Sequence, residues 1–341
     1  MSNLYKINYT HSSHDGKFYI DYQIGFRSHR SGWGTVMKSL DSIHNQKSSI
    51  KFIGFADLVF GRSMYSSYVV DNIPDGEWVG VLHNPPNLPE WYNYDIGLKG
   101  VTTAENFYNI KDNCKGLFTT SKYMKEWLVP RISHHNIPVD VLHHPYTGDS
   151  SQNFNIDKYI NNRYKKVLDI GTWCRRVSTI YTCDLPEQFQ RVKIWPYTYN
   201  ILSMNRNRIR QMLLKELQIT NYQKPLHRVT NMDYVNNEEY DELLSENIVL
   251  FDFWDTSANN IVLECIERGT PLLTRRHPAT EEYLGINYPL LFDNIEDCND
   301  LLSMDNIINA NIHLKKLKEQ SNYRLESFVG VLTDTEIYKQ I

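Results

Sequence analysis

The sequence predicts an α/β fold built from two doubly wound, Rossmann-like domains, and three observations support this prediction. The 341 residues exceed the usual size of a single hydrophobic core, so two domains are expected. Between residues 246 and 294, apolar runs of strand length alternate with helical patterns. Each helical pattern begins just after a strand pattern ends, which is typical of the connections in a parallel sheet.

The clearest of these units begins with the apolar run 248–254, which predicts a strand that is buried on both faces. Asp255, Thr256 and Ser257 follow it and are typical helix-capping residues. Gly269 stands where a glycine commonly ends a helix. Two further short strands are predicted at 270–274 and 290–292.

The loop 255–260 is the first candidate for function. Ligands of open α/β sheets bind outside the carboxyl ends of the strands, and a helix N-terminus there offers N–H groups to phosphate. Thr256, Ser257, Ala258, Asn259, Asn260 and Ile261 are therefore candidate substrate-binding residues. Glu264 lies about one turn inside the predicted helix, where a carboxylate can reach sugar hydroxyls.

Residues 259–285, NNIVLECIERGTPLLTRRHPATEEYLG, resemble the donor-site motif of the retaining GT-B glycosyltransferases called glycosyl transferases group 1, or family 4. The usual motif has a Glu, seven residues, a second Glu and then Gly-x-Pro. Glu264 matches the second Glu, and Gly269 to Pro271 match the tail. Thr256 stands in place of the first Glu. The resemblance implies the GT-B architecture, in which two domains face each other across a cleft.

Two segments near the amino terminus are further candidates. A predicted strand at 17–26 leads into a glycine-bearing loop, in which Gly32, Trp33 and Gly34 could approach a phosphate or a sugar closely, although such a loop also serves as an ordinary turn. The predicted strand 78–82 ends at His83 and Asn84, before two prolines. A lone histidine is more often structural than functional, but the resemblance implies a strand-end His close to the donor sugar.

The second domain offers two more candidate loops. A strand predicted at 166–170 ends at Gly171, and Arg175 and Arg176 follow, where they could hold a diphosphate by forked hydrogen bonds. A solvated surface pair is the alternative. After a strand predicted at 226–229, the loop with Thr230 and Met232 occupies the position that the resemblance assigns to the nucleotide base.

The predicted domains are residues 1–150 on the acceptor side and 151–320 for donor binding, with a linker near 146–163. Residues 321–341 are predicted to form a C-terminal helix, and this helix could cross back to the first domain.

The net charge of −4 argues against nucleic-acid binding. The five cysteines fit reduced thiols, and the absence of a D-x-D triplet favours a site without metal. No signal peptide or membrane segment is evident, so a cytoplasmic location is expected.

The sequence thus predicts a glycosyltransferase that moves a sugar from a nucleotide-diphosphate-sugar, with UDP or GDP as the nucleotide and no further cofactor, to a glycan or another hydroxyl acceptor. The predicted catalytic residues are His83, Arg175, Arg176 and Glu264. Two alternatives remain at this stage: a nucleotide-sugar epimerase of the same architecture, and a non-catalytic protein that binds glycans or nucleotide-sugars. A nicotinamide dehydrogenase is disfavoured because the sequence lacks G-x-G-x-x-G followed by an acidic residue on the next strand.

Overall fold

A computed structural model describes residues 15–20, 32–60, 75–92, 97–103, 105–148, 150–195, 199–233, 235–320 and 323–341. The chain divides into two compact units. The first unit contains Met1–Asp149 and Asn322–Ile341, and the second contains Ser150–Ser321. Within the described ranges, no helix is both long enough and apolar enough to cross a membrane.

The first unit contains a parallel sheet of five described strands in the order β1-β2-β3-β4-β5. The strands are β1 Tyr19–Ile20, β2 Lys51–Ile53, β3 Trp78–Leu82, β4 Cys114–Thr119 and β5 Val139–Val141. Every side chain of β3 is buried, which explains its unbroken apolar sequence. Apolar clusters form on both faces of this sheet.

Short helices connect and cover these strands. They are α1 Trp33–Ser39, α2 Ala56–Phe60, α3 Leu98–Thr102, α4 Glu105–Ile110 and α5 Lys122–Ile132, joined at the C-terminus by α14 Leu325–Asp334 and α15 Glu336–Gln340. The C-terminal helices belong to this unit because Phe328, Leu332 and Ile337 are buried in the same cluster as Phe52.

The second unit contains a parallel sheet of six described strands in the order β11-β10-β9-β6-β7-β8. The strands are β6 Lys166–Ile170, β7 Gln190–Ile194, β8 Thr230–Met232, β9 Ile248–Phe251, β10 Leu272–Arg275 and β11 Leu291–Phe292. The central strand β9 is fully buried, as its apolar sequence predicts. The predicted class, α/β with two parallel sheets, is therefore confirmed.

Helices of the second unit are α6 Ile156–Asn161, α7 Thr179–Thr182, α8 Tyr199–Ile219, α9 Asn237–Glu246, α10 Asn260–Arg268, α11 Pro278–Leu284, α12 Cys298–Leu301 and α13 Met304–Gln320. Capping defines several of their ends. Asn236 and Glu239 form a capping box at α9, and Gly269 ends α10 in the left-handed conformation predicted for it.

Three predicted element boundaries are wrong. The sequence predicts that the helix capped by Ser121 stops before Pro130, but helix α5 continues through Pro130 to Ile132, because a proline in the last turn interrupts little of the helix that precedes it. The strand predicted at 226–229 lies instead at Thr230–Met232, an edge strand whose polar side chains are largely exposed. Helix α10 begins at Asn260 with Asn259 as its N-cap, and not at residues 255–257.

The predicted helix after the glycine loop also differs. The sequence predicts a helix that is capped by Thr35 and continues to about residue 45. Helix α1 instead begins at Trp33 and ends at Ser39, where a 3-10 turn, Leu40–Ile43, follows it. Most of the predicted strand 17–26 and the loop residues 27–31 lie outside the described residues.

Candidate active site

The strand order places the topological switch point of the second unit beside β6. From β6 the chain moves to β7 and β8 on one side, and it then crosses to β9, which pairs with the other side of β6. Ligands of open α/β sheets bind in the crevice outside the carboxyl ends of the strands at such a point. The loops that follow β6 and β9 are therefore the primary candidate site.

These two loops are joined to each other by main-chain hydrogen bonds. Arg176 N donates to Asp252 O at 3.1 Å, and Trp254 N donates to Cys174 O at 3.0 Å. The turn that leaves β6 needs left-handed backbone at Gly171, with φ of 81°, and at Cys174, with φ of 59°. Gly171 is thus required for the turn, and its amide donates to Ile194 O.

The two predicted arginines have different environments. Arg175 is only 6% exposed, and its guanidinium stacks on the Phe251 ring and donates to Ile170 O at 3.2 Å and to Asn259 Oδ1 at 3.1 Å. Arg176 is half-buried, lies 4.2 Å over the Trp254 ring and donates through Nε to Phe253 O at 3.1 Å. The two arginines therefore do not form the solvated surface pair that was the alternative. Arg176 is the more accessible of the two.

The N-terminus of α10 lies in the same loop region. Asn259 Oδ1 accepts from Ile261 N at 3.2 Å and also from Arg175, so the cap of this helix is tied to the loop after β6. The Ile261 amide, one of the predicted phosphate donors, is used by this cap. Ala258 and Asn260 are half-buried beside it.

A pair that the sequence reasoning missed fixes the start of the loop after β9. The Asp255 carboxylate accepts from Thr256 N at 2.9 Å and pairs with His277 Nε2 at 3.1 Å. His277 Nδ1 accepts from Ala279 N as the N-cap of α11. Nε2 therefore carries the proton in neutral His277. Thr256 and Ser257 are buried beside this pair, and the His-Pro sequence that opens α11 was the available signal.

Glu264, the predicted ribose-binding residue, is 7% exposed and accepts a short hydrogen bond from the Tyr240 hydroxyl. Burial, and next the Glu264 charge, raise the pKa of Tyr240, so the hydroxyl keeps its proton. Arg268 holds the Glu264 carbonyl and forms an ion pair with Asp241 at 2.7 Å. The position of Glu264 is thus defined by the half-buried Tyr240 of α9 and the buried Arg268 of α10.

Three buried carboxylates, also unpredicted, support the loops. The Asp252 carboxylate accepts hydrogen bonds from Nε of Arg275 at 2.6 Å and from Nη2 of Arg275 at 3.1 Å. Glu216 accepts from Ser178 N at 2.7 Å and from Trp254 Nε1 at 3.0 Å. Asp169 pairs with Lys193 at 2.8 Å, and the same ammonium donates to Gly171 O. Sequence periodicity cannot reveal such pairs, because the partners are distant along the chain.

Thr230 and Met232 do not lie in a loop, as was predicted, but in the edge strand β8. Their strand is fixed to β7, and Trp195 N donates to Met232 O at 3.0 Å. The sequence predicts this loop over residues 230–234, and its last residue, Tyr234, lies outside the described residues.

In the first unit, the predicted glycine loop is the start of helix α1. Gly32 is the N-cap residue, and Trp33 and Gly34 lie in the first turn. Trp33 is 3% exposed, and its ring makes edge contacts with His83, His144 and Phe328. Trp33 is therefore a core residue of this unit, and the interpretation of it as a loop residue is corrected.

His83 lies at the carboxyl end of β3, as predicted. Its ring stacks on Phe55 at 4.1 Å, and Nε2 lies 2.8 Å from Gly54 O. Burial lowers the pKa of His83 to about 3, so the imidazole is neutral, with the proton on Nε2. Asn84 is buried, and its main-chain N–H donates to Asp57 Oδ1 at 3.1 Å.

Comparison with models of protein families gives no match, and neither does comparison with the sequences of curated proteins. Solved structures do match. An α,α-trehalose-phosphate synthase (UDP-forming) from Burkholderia vietnamiensis has 10% identity and a TM-score of 0.56, with 90% of this chain and 76% of that chain covered. A trehalose-6-phosphate synthase from E. coli, bound with UDP-2-fluoro glucose, has 11% identity and a TM-score of 0.54, with 88% and 77% covered.

A third match is the N-terminal domain of a Candida albicans trehalose-6-phosphate phosphatase, with 12% identity, a TM-score of 0.50 and coverage of 86% and 71%. These likenesses show that the chain has the α/β architecture of the GT-B fold. The matched synthases differ from the family-4-like subclass that the motif at 259–285 suggested.

Proposed function

We propose that this protein is a glycosyltransferase that moves a sugar from a UDP-sugar to a hydroxyl acceptor. The observation that carries the proposal is the position of Arg176. This residue lies in the loop after β6, at the switch point of the second unit, in a chain with the GT-B fold. Arg275, whose charge acts on Arg176, is bound to the carboxylate of Asp252, and the next residue, Arg276, is bound to Glu281. Arg176 instead donates to the main-chain carbonyl of Phe253, the charges of Asp252 and Glu216 also act on it, and we assign its half-buried guanidinium to the diphosphate.

The choice of UDP is supported by the solved structures that share the fold. One of them is described as UDP-forming, and another is bound with UDP-2-fluoro glucose. Glu264, held by Tyr240, is the residue that we assign to the ribose hydroxyls. The motif around Glu264 favours a transferase that retains the anomeric configuration, and the solved structures that share the fold support the broad GT-B class.

The proposed chemistry follows from charge. Cleavage of the bond between the anomeric carbon and the diphosphate makes the sugar electron-poor and the leaving diphosphate more negative. Arg176 and the N-terminus of α10 stabilise that growing charge most in the transition state, so they lower the barrier. One such group contributes ~3 kcal/mol in comparable sites. We propose that this transfer needs no metal ion and that His83 of the first unit is a second catalytic residue.

A thermal-shift panel of UDP-, GDP-, ADP- and dTDP-sugars tests the proposal. A bound ligand raises the melting temperature in proportion to the occupancy of the folded state, so the UDP-sugars should give the largest shift. Arg176→Ala should lose most of this shift. Arg163→Ala, which removes an exposed arginine from the same unit, is the matched control and should keep it.

The panel is followed by a transfer assay with the best donor and a mixture of sugars and sugar phosphates as acceptors. Transfer to an acceptor is expected. Release of an isomerised free nucleotide-sugar would indicate an epimerase, and donor binding without transfer would indicate a non-catalytic binding protein. No shift with any nucleotide-sugar, or equal shifts for the wild type and Arg176→Ala, would contradict the proposal.

A further inference from the structure

A fully buried carboxylate lies between the ends of two strands in the first unit. Asp57 is in the first turn of α2, just after β2, and its side chain has no exposed surface. Its Oδ2 accepts from His83 N at 2.7 Å, and its Oδ1 accepts from Asn84 N at 3.1 Å. Both of these donors belong to the segment that follows β3.

The need for a carboxylate at this position follows from the sequence after β3. Pro85 and Pro86 have no N–H, so His83 and Asn84 provide the last two amide donors of this turn. A carboxylate offers two acceptor oxygens, whereas an amide side chain would direct an NH2 group at one of the two donors. Burial of the carboxylate is costly, and it raises the pKa of Asp57 to about 7. The two amides offset part of that cost.

The same segment also holds the His83 ring. Gly54 O lies 2.8 Å from His83 Nε2, and Phe55 is stacked on the imidazole with an interplanar angle of 5°. Residues 54–57 therefore fix both the backbone and the side chain of His83. The imidazole is left with Nδ1 as its acceptor atom.

We propose that Asp57 is a positioning residue, whose carboxylate fixes the turn after β3 and so sets the position of the His83 imidazole, which we assigned as a catalytic residue. This inference rests on the proposed function, because that function assigns a catalytic role to His83. Asp57 itself is enclosed by protein and contacts no substrate, so its effect is transmitted through the turn.

Asp57→Asn tests the inference, and Asp140→Asn is its matched control. Asp140 belongs to the same unit, and its carboxylate also accepts a main-chain amide, from Ile337 at 3.0 Å, but it holds α15 and not the turn after β3. Both variants should lower the melting temperature. Only Asp57→Asn should lower kcat for sugar transfer, on the order of tenfold to a hundredfold, because a displaced group loses alignment. The affinity for UDP should stay within about twofold of wild type, since Asp57 acts through His83.

A second measurement does not depend on activity. In 15N spectra of histidine-labelled protein, assigned with His83→Gln, the wild-type His83 should show one neutral tautomer with the proton on Nε2. Asp57→Asn should shift or split this signal, and Asp140→Asn should leave it unchanged. If no sugar is transferred by the wild type, the proposed function fails, and these spectra still decide the role of Asp57. An unchanged His83 signal, or an equal loss of kcat in both variants, would overturn the inference.

Discussion

At the scale of single residues, burial decides which titratable groups control stability. His144 is buried beside Trp33, and its Nδ1 lies 2.8 Å from Pro145 O. Burial lowers the pKa of His144 from 6.5 to about 4. Between these two pH values the unfolded chain binds a proton and the folded chain does not. The contribution of His144 to the free energy of unfolding therefore falls as the pH falls from about 6.5 to about 4, by about 1.4 kcal/mol per pH unit.

This predicts a measurable difference between His144→Gln and wild type. The melting temperature of the wild type should decrease more steeply between pH 7 and pH 5 than that of the variant, because the variant lacks the titrating imidazole. His134→Gln, at an exposed histidine, is the control and should follow the wild type. Parallel pH profiles for His144→Gln and wild type would show that His144 does not supply this dependence.

At the scale of elements, two glycines provide a matched test of backbone strain. Gly269 ends α10 with φ of 70°, and a Cβ there would lie 2.9 Å from Asn311 Nδ2. Gly330 lies exposed within α14, and a Cβ there would meet nothing within 4 Å. Gly269→Ala should therefore cost roughly 1–2 kcal/mol of unfolding free energy. Gly330→Ala should add up to about 1 kcal/mol, because alanine favours a helix.

Urea unfolding of both variants measures these changes. Changes of the same sign in the free energy of unfolding of the two variants would contradict this explanation. They would mean that the backbone conformation at residue 269 is not the reason for a glycine there. A gain in stability for Gly269→Ala would be the clearest contradiction, since it would require the left-handed turn to tolerate a side chain.

The elements also show what could be predicted from the sequence. The bounds of β3 and β6 were predicted to the residue, because β3 is an unbroken apolar run that ends before two prolines and β6 has an apolar centre, Val167 and Leu168, and ends before Gly171. The edge strand β8 was misplaced, since its Thr-Asn-Met sequence has no apolar pattern. The cap of α10 was placed too early, because Asp255 is engaged by His277 and leaves the capping role to Asn259. Local pattern cannot show such long-range competition.

At the scale of the whole molecule, the two parallel sheets and the class of the fold could be predicted from the sequence. The buried carboxylates that hold the loops of the second unit could not. Although the net charge of the protein is −4, a group of arginines lies at the carboxyl ends of β6 and β10. Arg175 is buried against Phe251, and Arg275 is paired with Asp252. Among the predicted catalytic arginines, only the structure distinguishes Arg176 as the accessible one, because exposure depends on contacts made far along the chain.

The central claim is that the second unit recognises a diphosphate through Arg176, and calorimetric titration of the 341-residue protein tests it most directly. Uridine and UDP differ only by the diphosphate, so wild type should bind UDP more tightly than uridine. Loss of one charge-assisted contact corresponds to roughly 1.5–3 kcal/mol, or about tenfold or more in affinity. Arg176→Ala should lose that much affinity for UDP and none for uridine. Equal binding of UDP and uridine by the wild type, or an unchanged UDP affinity in Arg176→Ala, would contradict the account.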